Sequence, residues 1–139
     1  MGSTPMGDSR AMTGTFDTDH AVLERLRQVC LALPETSERL SHGSPTFFVR
    51  EKKSFVMYLD DHHGDGILGI WCAAPEGVQR DLVDTEPARF FVPPYVGHRG
   101  WLGVRLDRDV DWEEVAGIVT DAYCCVAPKT LVRQVRPEA

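Results

Sequence analysis

The spacing of hydrophobic residues along this chain changes several times, and each change marks an element. Val22, Leu26, Val29, Cys30 and Leu33 recur at the period of an α-helix, predicting one that starts near Asp17–Asp19 and stops at Pro34. Asp17 and Asp19 suit that start, because short acceptor side chains satisfy free amides and their charge matches the helix dipole. From Glu38 the period falls to two. Thr46-Phe47-Phe48-Val49 reads as a strand, Arg50-Glu51-Lys52-Lys53 as a charged tight turn, and Ser54 to Leu59 as the strand returning from it. Asp60 to Gly66 is a second polar turn, followed by Ile67 to Cys72 as a third strand, so the three form an antiparallel meander.

The second half repeats the alternation of elements. Ala74-Pro75-Glu76 opens a helix with proline in its first turn, Val78, Leu82 and Val83 form its apolar stripe, and Pro87 closes it. Arg89 to Arg105 concentrates the unusual residues of the chain. Phe90-Phe91-Val92 must end as a strand at Pro93-Pro94, which donate no backbone hydrogen bonds. Gly97 and Gly100 permit positive φ in the connection, and Trp101 to Val104 forms the next strand. Asp111-Trp112-Glu113-Glu114 has the form of a capping box, and Trp112, Val115, Ala116, Val119 and Tyr123 continue at helical spacing. Ala127-Pro128-Lys129 breaks that helix and restarts a short one carrying Leu131, Val132 and Val135.

The order is thus α-β-β-β-α-β-β-α with a short terminal helix. It predicts an α+β two-layer sandwich, one five-stranded antiparallel sheet covered by helices. Residues 17–136 form the single domain, behind a disordered tail over residues 1–16 that is rich in Gly, Ser, Thr and Met. The expected core contains Leu26, Val29, Leu33, Phe55, Met57, Ile70, Trp101, Val115 and Val119.

Composition narrows the function. At 139 residues, 42% hydrophobic and 26% charged, the chain is long enough for one domain with its own core. No apolar run approaches the ~20 residues that span a bilayer, and no charged-then-apolar leader opens the sequence, so a cytoplasmic location without membrane association is expected. The four cysteines have neither zinc nor redox spacing and read as buried free thiols of a reducing compartment. His62-His63 lies among Asp60, Asp61 and Asp65, but no third ligand stands at a fixed spacing; a polar turn is the simpler account, and neither metal nor cofactor is expected. No serine sits in a nucleophile elbow, no Cys–His pair has a recognisable setting and no glycine-rich phosphate cradle occurs, so no catalytic residue is assigned and the chain reads as a non-enzyme.

Several short motifs then fall in a characteristic order: Cys30-Leu31-Ala32-Leu33-Pro34-Glu35, His42-Gly43-Ser44-Pro45-Thr46-Phe47, Tyr95-Val96-Gly97-His98-Arg99-Gly100-Trp101, Asp111-Trp112 and Ala127-Pro128-Lys129. Over roughly residues 20–136 the chain resembles the MmcQ/YjbR family. The resemblance implies a secretion-chaperone-like or frataxin-like α/β sandwich, DNA binding through a double-wing arrangement of hairpins, and no established catalytic residue.

The charge distribution partly suits that role. Net charge is −6, which opposes non-specific adhesion to nucleic acid. Basic residues are nevertheless segregated: Arg50, Lys52 and Lys53 on the first turn, Arg99 and Arg105 (with Arg89) in a stretch without acids, and Lys129 and Arg133 near the C-terminus. All of these except Arg89 are the candidate phosphate contacts. Asp60, Asp61 and Asp65 would repel phosphate at the second turn, and solvated surface side chains are the plain alternative throughout. A second class stays open: a small-ligand or protein-binding module, monomer or homodimer, with a cleft built from His42, Tyr95, His98, Arg99, Trp101 and Lys129.

Overall fold

The computed structural model describes residues 14–137. Its elements in chain order are α1 (Gly14–Leu31), β1 (Thr36–Ser41), β2 (Ser44–Val49), β3 (Lys53–Asp60), β4 (Leu68–Cys72), α2 (Val78–Thr85), β5 (Phe90–Phe91), β6 (Leu102–Arg105), α3 (Trp112–Val126) and α4 (Lys129–Val135). All strand pairs are antiparallel, in the order β1-β2-β3-β4-β6-β5. The predicted α+β class is the observed one, with six strands where five were expected.

The added strand is β1. Its Thr-Ser-Glu-Arg-Leu-Ser composition hides it, because at the sheet edge no residue of it is fully buried. A two-residue turn joins it to β2: His42 (φ 52°) and Gly43 (φ 83°) are both left-handed, the conformation that follows the twist of a hairpin. The predicted tail lies outside the described residues over 1–13, and Gly14 to Phe16 are already helical, so the helix starts before Asp17. Pro75 precedes the second helix instead of lying in its first turn, with Gly77 (φ 86°) in between. Trp101 stands just outside its strand, and Val92 outside the two-residue β5.

Register divides the sheet into two unlike faces. Phe47, Val49, Val56, Tyr58, Ile70, Cys72, Leu102, Val104 and Phe90 fall on one face and are buried with Leu26 and Cys30 of α1 and Val115, Val119 and Tyr123 of α3. A bulge strengthens this side: Phe47 pairs with Val56 and Phe48 with Ser54, so Phe55 is unpaired. Its ring meets Tyr123 edge-on at 5.7 Å between centroids, and the Tyr123 hydroxyl donates to the Pro34 carbonyl at 2.8 Å, tying α3 to the end of α1. Asp111 caps α3 as its sequence predicts, Oδ1 accepting from the Glu113 amide at 3.0 Å.

The opposite face carries Thr46, Phe48, Met57, Leu59, Trp71, Gly103 and Phe91 and has no helix layer across its centre. Here the segment between β5 and β6 folds over the sheet. Gly103 makes room on this face for the ring of its β5 partner Phe91, which a Cβ there would strike. Met57 is therefore half-buried instead of core, as are Val29 and Leu33, while the other predicted core residues are buried.

Leu26 is fully buried, and truncation to Ala is expected to cost about 2–5 kcal/mol in denaturant unfolding. Tyr123→Phe should cost about 0.5–1.5 kcal/mol by orphaning the Pro34 carbonyl. Wild-type stability in the Leu26→Ala protein would rule out the helix-on-sheet core.

Candidate functional site

Many of the basic residues are consumed by folding. Arg105 sends Nε and Nη2 to the two carboxylate oxygens of Asp107 at 3.0 and 2.9 Å, and that hydrogen-bonded guanidinium holds the Asp107 carboxyl below its ordinary value. Arg50 binds Glu35 at 2.8 Å, Arg27 binds Glu38 at 2.8 Å, and Arg89 bridges Glu86 and Glu114. Among the described residues Lys52, Lys53, Arg99, Lys129 and Arg133 make no ion pair.

Topology places these residues. The β2–β3 turn, the C-terminal end of β4 and the start of β6 share one end of the sheet, because Val56 pairs with Cys72 and Cys72 with Leu102. The turn is built from left-handed Arg50 (φ 52°) and Glu51 (φ 60°), closed by the Lys52 amide on the Val49 carbonyl. Arg50, Lys52 and Lys53 line a depression with Cys125, Val126, Ala127 and Pro128 at the α3–α4 junction. Lys129 and Arg133 line the adjoining depression, which shares Ala127. Arg99 belongs to the same end, its guanidinium 5.3 Å from the ring centroid of Trp101, the residue before Leu102. Arg105 does not. It pairs with Gly69 at the far end of β4.

The predicted cleft is rebuilt by the structure. On the open sheet face lies a cavity of about 670 Å³ lined by Ser41, His42, Ser44, Thr46, Ser54, Met57, Leu59, His62, His63, Trp71, Tyr95 and Val96. His42 and Tyr95 belong to it. His98, Arg99, Trp101 and Lys129 do not. Trp101 is buried, and its carbonyl and that of Gly97 both accept from Gln79 Nε2 of α2, at 2.6 and 2.8 Å. The turn at 60–66 supplies what sequence reasoning left out: His62 is half-buried, edge-on to Trp71 at 4.9 Å and to Tyr95 at 6.0 Å. Strand alternation carried the signal for Trp71, which must oppose the core-facing Ile70 and Cys72.

The aspartates of that turn are used internally. Asp61 Oδ1 accepts from the Gly66 amide at 2.7 Å and Asp65 Oδ1 from the Ile67 amide at 2.9 Å. Among the described residues no group of three or more His, Cys, Asp or Glu is arranged to hold a metal ion. Cys30 and Cys72 are buried, and loss of hydration pushes the Cys72 thiol up to about 12, which makes it inert near neutrality. Cys124 is half-buried and Cys125 exposed, contrary to a wholly buried set.

An antiparallel sheet with helices on one face, a cleft on the other and basic residues at one end defines an α+β fold of the two-layer class. The chain belongs to the YjbR family, whose model matches residues 31–125. Among solved structures it is similar to the crystal structure of Deinococcus radiodurans protein DR2400, a DUF419 domain, at 20% identity and a TM-score of 0.64, covering 84% of this chain and 86% of that one. At that identity the likeness concerns the fold. No curated protein matches the sequence. Among the described residues no helix is long and apolar enough to cross a membrane.

The Arg105–Asp107 pair sets a pH dependence. Because the folded Asp107 carboxyl titrates below its ordinary 3.8, the pair stabilises the fold above that value and loses its contribution as pH falls through the lower, folded one. Arg105→Gln should cost at most about 1 kcal/mol at pH 7, since the pair is partly exposed. In urea titrations the gap from wild type should close on acidification. A gap that widens toward pH 3 would contradict the pairing.

Proposed function

We propose that this protein binds the sugar–phosphate backbone of duplex DNA through the end of the sheet that carries Lys52, Lys53, Lys129 and Arg133, with Arg99 extending the contact. The observation that carries this reading is the meeting around Ala127 of two basic segments far apart in sequence, whose Lys52, Lys53, Lys129 and Arg133 make no ion pair among the described residues. Lysines in such a place are point charges free to follow phosphates, and each contact releases condensed counterions. The basic β2–β3 hairpin tip acts as the contacting wing. The β3–β4 tip, with Asp61 and Asp65, lies at the opposite end of β3 and is kept away from the duplex by repulsion. Arg105 is excluded from the contact set, because Asp107 occupies its guanidinium at that same far end.

Binding of this kind reads shape and charge instead of base sequence. The net charge of −6 keeps it weak, roughly micromolar at low salt. With four phosphate contacts the slope of log K against log salt should be about −3.6. Lys53→Ala with Lys129→Ala should flatten it by about two units, whereas Arg105→Ala should leave it unchanged. Titration of labelled duplex across a salt series reads these slopes. No binding at low salt, or equal slopes for the double variant and wild type, would refute the reading.

A further inference from the structure

The cavity on the open face of the sheet has no part in phosphate contact, and its chemistry differs from that of the basic end. Trp71, 3% exposed, forms its floor, with Met57 and Leu59 beside it. Around that floor stand the rings of His62, His63 and Tyr95, with centroids 4.0 Å apart for the two histidines and 6.3 Å for Trp71 and Tyr95. Across from the rings run hydroxyls of the β1–β3 side, those of Ser41, Ser44, Thr46 and Ser54. The Thr46 hydroxyl donates to the Ser44 carbonyl at 3.0 Å, so toward the cavity it can only accept. Among the described residues no Asp, Glu, Lys or Arg lines the cavity.

Three of the rim side chains are held there by unfavourable backbone. His42 (φ 52°), His63 (φ 52°) and Tyr95 (φ 67°) are left-handed, and they come from three separate connections. Tyr95 is the extreme case. The Val96 amide donates to the Pro94 carbonyl at 2.6 Å, closing a three-residue turn around it, the positive-φ form that is rare and strained. A large ring in that conformation is usually paid for by burial, yet Tyr95 is 68% exposed. Its strain gains nothing for the fold that glycine would not supply. What it does is hold a ring over the mouth of the cavity.

We infer that this cavity binds a planar, uncharged heteroaromatic molecule of nucleobase size, stacked against Tyr95 and His62 above the Trp71 floor with its polar edge on the hydroxyl row. About 670 Å³ is ample for such a ring and its substituent. Flatness follows from the rings, which reward a π-face. An aliphatic ligand would leave the hydroxyls without partners, and a polyol would leave the floor of Trp71, Met57 and Leu59 uncovered. A cation finds no carboxylate lining the site. The Thr46 acceptor selects a ligand that offers an N–H on that edge.

The test is NMR titration of the isotope-labelled full chain with adenosine, guanosine, uridine, thymidine and riboflavin, and with glucose and tetramethylammonium as probes of the wrong chemistry. At least one heterocycle should shift the Trp71 indole and the His62 and Tyr95 rings in a saturable way. Tyr95→Gly should weaken that binding about tenfold, the value of one lost stacking partner, while leaving the melting temperature equal or higher because the turn is relieved. A purely structural Tyr95 would instead lower the melting temperature and leave affinity alone. A single-stranded oligonucleotide of the same base distinguishes the source: tighter binding at these resonances assigns an unstacked base in a strand, and binding no tighter than the nucleoside assigns a free small molecule. Lys53→Ala with Lys129→Ala should not change nucleoside affinity, so this result stands apart from the duplex experiment. The inference fails if no heterocycle shifts these rings, if glucose or tetramethylammonium shifts them instead, or if Tyr95→Gly binds as tightly as wild type.

Discussion

Everything in this molecule depends on the sheet being covered on one face only. Strand residues alternate between faces, and α1 and α3 bury one set completely around Leu26, Phe55, Val119 and Tyr123. The Phe55 bulge sends an extra ring to that side, and the Tyr123–Pro34 hydrogen bond holds the helices in place over it. The other set, including Met57, Leu59 and Trp71, must find cover by other means. The chain supplies it with the connection between β5 and β6 and with the turn at 60–66, neither of which closes the face completely. The cavity is what remains.

The same one-sidedness distributes the charges. Arginines that brace elements together (Arg27, Arg50, Arg89, Arg105 and Arg136) are each held by carboxylates. Lys52, Lys53, Lys129 and Arg133, outside those pairs, come together where the β2–β3 turn meets the α3–α4 junction, because that end of the sheet receives a hairpin tip and a helix restart together. An acidic protein can therefore present a small basic surface, since many of its acids are engaged elsewhere, in pairs with the bracing arginines and in turn and helix caps such as Asp61, Asp65 and Asp111.

Period and capping made most of the fold legible in the sequence. Thr46 to Val49, Ser54 to Leu59 and Ile67 to Cys72 alternate or run apolar because they are central strands, and Asp111 announces α3 through its acceptor oxygen. β1 escaped because an edge strand needs little apolar content, and its one strong signal is the His42-Gly43 turn, where both residues are left-handed. The cleft was half legible. His42 and Tyr95 are named from their setting, but Trp101, expected both in the core and in the cleft, belongs to the core alone, and His62 and Trp71 were passed over. Contacts of that kind depend on which connection folds over which face, a long-range property that local spacing does not carry. Segregated basic residues were visible as segments, whereas Arg105 dropped out of the set only once Asp107 was seen on its guanidinium.

The central claim is that one scaffold carries two chemically separate surfaces, a basic end and an aromatic open face. A single chemical-shift map of the labelled protein with a short duplex at low salt tests it most directly. The account predicts shifts clustered at Lys52, Lys53, Lys129 and Arg133, with the Trp71 indole and the His62 and Tyr95 rings unmoved. Shifts centred on those rings, or on the acidic turn at Asp61 and Asp65, would contradict it.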